Sequence, residues 1–127
     1  MVNYLNIFVV FLVVVLFSGS SSSESPPINV DKYTVVIIEE TELRQLLPPS
    51  QLSAINSKVW RDYVSEKNGQ WRVLDPDSDV SKDHDWVKES LNLKRDGLPW
   101  LILSNNKKGL SIPLPKNLDL LMEKIKQ

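Results

Sequence analysis

The side chains best suited to chemistry lie in two acidic runs. The first, EETELR, sets Glu39, Glu40, Thr41, Glu42 and Arg44 directly after an apolar stretch. Its carboxylates could hold a cationic group or a peptide, and Arg44 offers an anchor for an anion. The second, DPDSDVSKDHDW, places Asp75, Asp77, Asp79, Ser81 and Asp83 at alternate positions, the oxygen pattern of a twelve-residue calcium loop. Val80 stands where that loop needs its glycine turn, however, and Trp86 where it needs a bidentate glutamate. The run therefore reads as a solvated turn feeding a helix N-terminus, where negative charge is favourable.

Other chemistries are excluded by what the chain lacks. It has no cysteine, so disulfides, thiolate metal sites and thiol-based redox or nucleophilic catalysis are absent. His84 is the only histidine, and one imidazole among aspartates reads as a neighbour of a helix start, not as a metal ligand or a base. There is no G-x-S-x-G nucleophile elbow, and four glycines without a glycine-rich stretch leave no phosphate loop. We expect no catalytic residue, no metal and no cofactor. With 15 Lys plus Arg against 16 Asp plus Glu, nothing in the charge balance favours nucleic acid as a partner.

The first twenty residues differ in kind from the rest. IFVVFLVVVLF, Ile7 to Phe17, is unbroken apolar sequence and contains every phenylalanine of the chain. It is shorter than the roughly 20 residues of a bilayer-spanning helix and suits the core of a secretory signal, with Ser18, Gly19 and Ser20 at a cleavage site. No Lys or Arg precedes it, and counting residues 2–19 together gives a short uncleaved anchor as the other reading. Either way residues 1–20 direct the chain out of the cytosol: secreted, periplasmic or membrane-anchored. Residues 21–30 form a Ser/Pro-rich linker, and residues 31–127 form one folded domain.

That domain reads as alternating elements. YTVVIIEE (Tyr33 to Glu40) is a β-branched strand apolar enough to be covered on both faces. A helix follows from an N-cap at Ser50, with Leu52, Ile55, Val59 and Tyr63 on its apolar stripe and Gly69 as its stop. WRVLD (Trp71 to Asp75) is a second strand, and a short helix carries Trp86, Val87, Ser90 and Leu91 on one side. WLILS (Trp100 to Ser104) and LSIPL (Leu110 to Leu114) flank NNKKG as a hairpin, whose second strand lies at a sheet edge because Pro113 lacks a donor. Asn117 caps a last helix with Leu118, Leu121, Met122 and Ile125 on one face. The order is βαβαββα.

This body, about residues 31–127, resembles the thioredoxin-like superfamily. RVLDPDSD looks like its second strand and acidic turn, GLPWLIL like its cis-proline strand, and NNKKGLSIPL like its hairpin. The resemblance implies an α/β three-layer sandwich with a mixed central sheet, and a cis Leu98–Pro99 bond. It also implies that the segment after the first strand lies beside Pro99. Redox members carry a Cys-x-x-Cys pair there, whereas this chain has IEETELRQL.

The implied site joins Glu40, Thr41, Glu42 and Arg44 to Leu98, Pro99 and Trp100. Acidic residues in a first helical turn also offset the helix dipole, Thr41 suits an N-cap, and Trp71 and Trp100 begin strands where core packing accounts for them. The expected function is a redox-inactive thioredoxin-fold binding module for a protein or peptide, with a membrane reached through residues 1–20. The alternatives are a non-thiol enzyme of glutathione-transferase type using the cis-proline cleft, and a membrane-tethered structural domain.

Overall fold

Five consecutive β-branched residues, Thr34–Ile38, form the central strand β1, and every one of them is buried. Such a run suits a strand covered on both faces, because branched side chains pack well on a pleated surface. The structure, a computed structural model, describes residues 25–127, so the leader expected at residues 1–20 lies outside it. Around β1 lie β2 (Gln70–Leu74), β3 (Trp100–Ser104) and β4 (Gly109–Pro113) in the order β2-β1-β3-β4. β2 runs parallel to β1; β3 runs antiparallel to it, with Ile37 opposite Leu101 and Val35 opposite Leu103. β4 closes the hairpin at one edge, and Pro113 faces outward there as its missing donor requires.

Alternation along the strands divides the core in two. Val35, Ile37, Leu101 and Leu103 face α1 (Pro49–Asn56), α2 (Lys58–Glu66) and α4 (Leu118–Ile125), where Ala54, Ile55, Trp60, Val64, Leu121 and Ile125 pack against them. Val36, Ile38, Trp100 and Ile102 face α3 (Asp85–Asn92) through Val87, with Ile28 and Val30 beside it. The result is a four-stranded mixed sheet with helices on both faces. Among the described residues no helix is long and apolar enough to cross a membrane.

Three expectations need correction. The linker does not reach residue 30: Ile28 and Val30 are buried, and the Ile28 carbonyl accepts from Ser104 Oγ at 2.9 Å. The single helix from Ser50 is two helices broken at Ser57, which is extended and accepts the Val59 N–H on its hydroxyl to cap α2. The break is held by side chains: Trp60 Nε1 donates to the Ala54 carbonyl at 2.9 Å, and an Arg61 guanidinium nitrogen donates to that of Ile55 at 3.0 Å. These satisfy carbonyls that a continuous helix would have used. Val59 is consequently exposed, and Trp60 takes the buried position. Ser50 sits inside α1 and donates to the Lys116 carbonyl instead of capping.

At the far end of α2 the left-handed residue is Asn68, with φ of 59°, not Gly69. Gly69 is needed for a different reason, since a Cβ there would lie 2.7 Å from the Tyr33 carbonyl oxygen and 2.8 Å from Val64 Cγ1. Asn117 caps α4 through its Oδ1, which accepts the Leu120 N–H at 2.9 Å.

Candidate functional site

Glu39 is the first residue past β1, and its N–H donates to the Leu74 carbonyl at 2.9 Å, so it continues the pairing with β2 after the strand has ended. Its side chain is under cover, 1% exposed. The chain then turns. Thr41–Leu46 is a 3₁₀ helix without a single buried residue, stitched by Leu43 N–H to the Glu40 carbonyl at 3.0 Å and Leu47 N–H to the Arg44 carbonyl at 3.1 Å. Such short i to i+3 turns present side chains to solvent when nothing packs over them.

Across from this segment, the Leu98–Pro99 peptide bond is cis, and the Pro99 carbonyl accepts from Leu114 N–H at 3.0 Å. Between the two lies a cleft of about 290 Å³, walled by Leu43, Leu46, Leu47, Leu98 and Pro99 with Glu39 and Glu40. Leu43, Leu46 and Leu98 are exposed, Leu46 at 79%. Exposed leucines scattered singly need no account, but three around one concavity form an apolar patch of the kind that marks interaction sites.

Glu39 carries the polar chemistry. Its Oε1 is paired with an Arg44 guanidinium nitrogen. Its Oε2 is buried without a partner, and so is Arg44 Nε. Among the other described residues only Arg61 Nε is likewise bare; Thr34 accepts from Gln70, Gln51 donates to the Leu114 carbonyl, Ser90 to that of Trp86, and Ser104 to that of Ile28. A buried carboxylate oxygen left bare is costly, so Glu39 stands apart from the rest of the interior.

The rim is acidic. Carboxylate oxygens of Glu40, Asp75 and Asp77 lie within 4.8 Å of one another. Both Asp75 oxygens accept backbone N–H groups, from Thr41 at 2.8 Å and from Asp77 at 2.7 Å, which ties the β2 turn to the 3₁₀ segment. Those bonds hold the Asp75 carboxyl below the usual aspartate range. Glu40 is pushed above the usual glutamate range, first by partial loss of hydration and then by the charges of Asp75, Asp77 and Glu42.

A prediction follows for acidification from neutral pH. Protonating Glu40 comes first and favours the folded state, because its folded pKa is the raised one; protonating Asp75 comes later and removes stability that its lowered pKa had supplied. Carboxyl-carbon NMR should show Glu40 titrating above Asp75, and Asp75→Asn should bring Glu40 down towards the ordinary range. A Glu40 midpoint unmoved by that substitution would remove the coupling from the account.

Not all the expected site residues meet here. Glu40, Leu98 and Pro99 line the cleft, Arg44 reaches it through Glu39, and Thr41 is engaged with Asp75 through its N–H. Glu42 is exposed and does not line the cleft. Trp100 points away: it is buried on the α3 face, with Nε1 donating to Ser111 Oγ at 2.7 Å. The residues not anticipated are Glu39 as the buried acid and Leu43, Leu46 and Leu47 as apolar walls. Their i, i+3 spacing reads as a core stripe in a helix, and only the missing cover reveals otherwise.

A smaller hollow of about 90 Å³ lies at the opposite end of the sheet, near Tyr33, Asn105, Lys108 and Lys124. Two of its polar groups are engaged: Tyr33 donates its hydroxyl to the Ile125 carbonyl at 2.6 Å, and Asn105 Oδ1 accepts from Lys107 and Lys108 N–H. No family model, curated protein or solved structure matches this chain.

Proposed function

We propose that this chain is a redox-inactive thioredoxin-like domain, directed out of the cytosol by residues 1–20, that works by binding a peptide segment of a protein partner. The fold part of the reading is supported by the mixed sheet between helical layers, the βαβαββα succession, and the cis proline opening β3. With no cysteine in the chain, thiol chemistry at that position is absent. The binding part rests on one observation: the exposed leucines Leu43, Leu46 and Leu98 wall a cleft at the carboxyl end of the central strand. An aliphatic side chain laid between them removes apolar area from water on both partners, at about 25 cal/mol per Å².

The test is calorimetric titration of the full chain with the acetylated, amidated pentapeptide Gly-Leu-Leu-Leu-Gly. Saturable binding is expected, and Leu46→Asp should weaken it by about tenfold or more, since a buried charge replaces an apolar contact. Leu46 is mostly exposed, so its substitution should leave stability within about 0.5 kcal/mol. Equal binding by the variant would overturn the assignment of the cleft.

A further inference from the structure

Resting on that reading of the cleft, we infer that the bound segment carries one basic side chain, whose cation sits on Glu39 Oε2. Glu39 is fixed by its backbone bond to Leu74, is almost fully buried, and forms part of the cleft wall. One carboxylate oxygen is taken by Arg44 and the other has no donor, while among the described residues the only other buried side-chain N or O atoms without a partner are Arg44 Nε and Arg61 Nε. An acceptor in that state asks for a donor, and a charged donor most of all.

Charge gives the same answer independently. Glu39, Glu40, Glu42, Asp75 and Asp77 gather at this end of the sheet against Arg44. A cation brought into that field is attracted, and an anion repelled. The walls complete the match. Leu43, Leu46 and Leu98 are aliphatic, and a lysine or arginine lays its methylene stem along such walls while its head seeks the acid.

Oε2 is closed from solvent, so the incoming cation reaches it by a shift of the Arg44 side chain that leaves Arg44 on Oε1. That side chain is 36% exposed and belongs to a segment with no buried residue, although its Nε is itself buried. Arg44 and the ligand's basic group then hold one carboxylate oxygen each.

The experiment compares two blocked pentapeptides on the full chain by calorimetry: Gly-Leu-Lys-Leu-Gly, and the same peptide with norleucine for lysine. The lysine peptide should bind about tenfold or more tightly, with an affinity that falls as salt rises. In Glu39→Gln the lysine preference should shrink to about threefold or less, with norleucine binding retained. Equal affinity of the two peptides for the unaltered protein overturns the inference and leaves the apolar cleft standing. Absence of saturable binding by both peptides overturns the inference and the binding reading together. Because the lysine–norleucine contrast is read on the unaltered protein, it decides the matter even if Glu39→Gln proves unstable.

Discussion

Trp60→Ala should cost about 3–5 kcal/mol, a large share of the roughly 5–15 kcal/mol by which a domain of this size is stable. Among the described residues Trp60 is the largest side chain buried completely, and it does three things at once. Its ring fills the space between α2 and the sheet, and meets Trp71 edge to face at 5.4 Å. Its Nε1 closes the end of α1 on the Ala54 carbonyl, and the Trp71 ring beneath it carries the Arg61 guanidinium at 4.6 Å. Truncation opens a cavity and frees the joint between α1 and α2 together. Trp60→Phe is the milder change: it keeps most of the packing and loses the hydrogen bond, whose acceptor still holds the Ser57 N–H. A cost of about 1–2 kcal/mol is expected for it. Urea unfolding of the full chain followed by circular dichroism reads both values, and a Trp60→Ala loss below about 1 kcal/mol would show that the joint does not depend on this ring.

The second large effect concerns the pair in the cleft. Arg44→Met should destabilise by about 2–3 kcal/mol, because it leaves the Glu39 carboxylate buried with neither oxygen paired. The figure is below that of a fully buried pair because Arg44 is partly exposed to water. The double variant Glu39→Leu with Arg44→Met should recover to within about 1 kcal/mol of the original, or exceed it, since an apolar pair of similar volume suits the leucine-lined wall. The pair would then be a feature that stability alone does not require. A double variant as unstable as the single one would make the pair structural and weaken the case that Glu39 is held for a ligand.

Much of this architecture is legible along the chain, and the exceptions share a cause. The strand at Thr34–Ile38 declares itself by five branched residues, and the cap at Asn117 by an acceptor placed just before an apolar stripe. Pro113 marks an edge because it has no N–H to give. The break at Ser57 is not legible, since it depends on Trp60 and Arg61 reaching back to carbonyls of the preceding helix, a contact with no local pattern.

The site divides in the same way. Leu98, Pro99, Glu40 and Arg44 are reachable from the motif positions and the chemistry of the acidic run. Glu39 is not, because adjacent glutamates look alike until the extended chain turns one inward and leaves its neighbour on the rim. Trp100 illustrates the reverse error: it adjoins Pro99 in sequence, but strand alternation sends its ring to the α3 face along with Ile102. Proximity along the chain is a poor guide to shared surface when the period is two.

The most direct measurement is a titration of the isotope-labelled full chain with the blocked Gly-Leu-Lys-Leu-Gly peptide, followed by amide and methyl NMR shifts. Saturable shifts are expected, centred on residues 39–47 and on Leu98, with the methyls of Leu43, Leu46 and Leu98 moving most. Shifts centred instead on Tyr33, Asn105 and Lys108 at the opposite end of the sheet, or no saturable shifts anywhere, would contradict it.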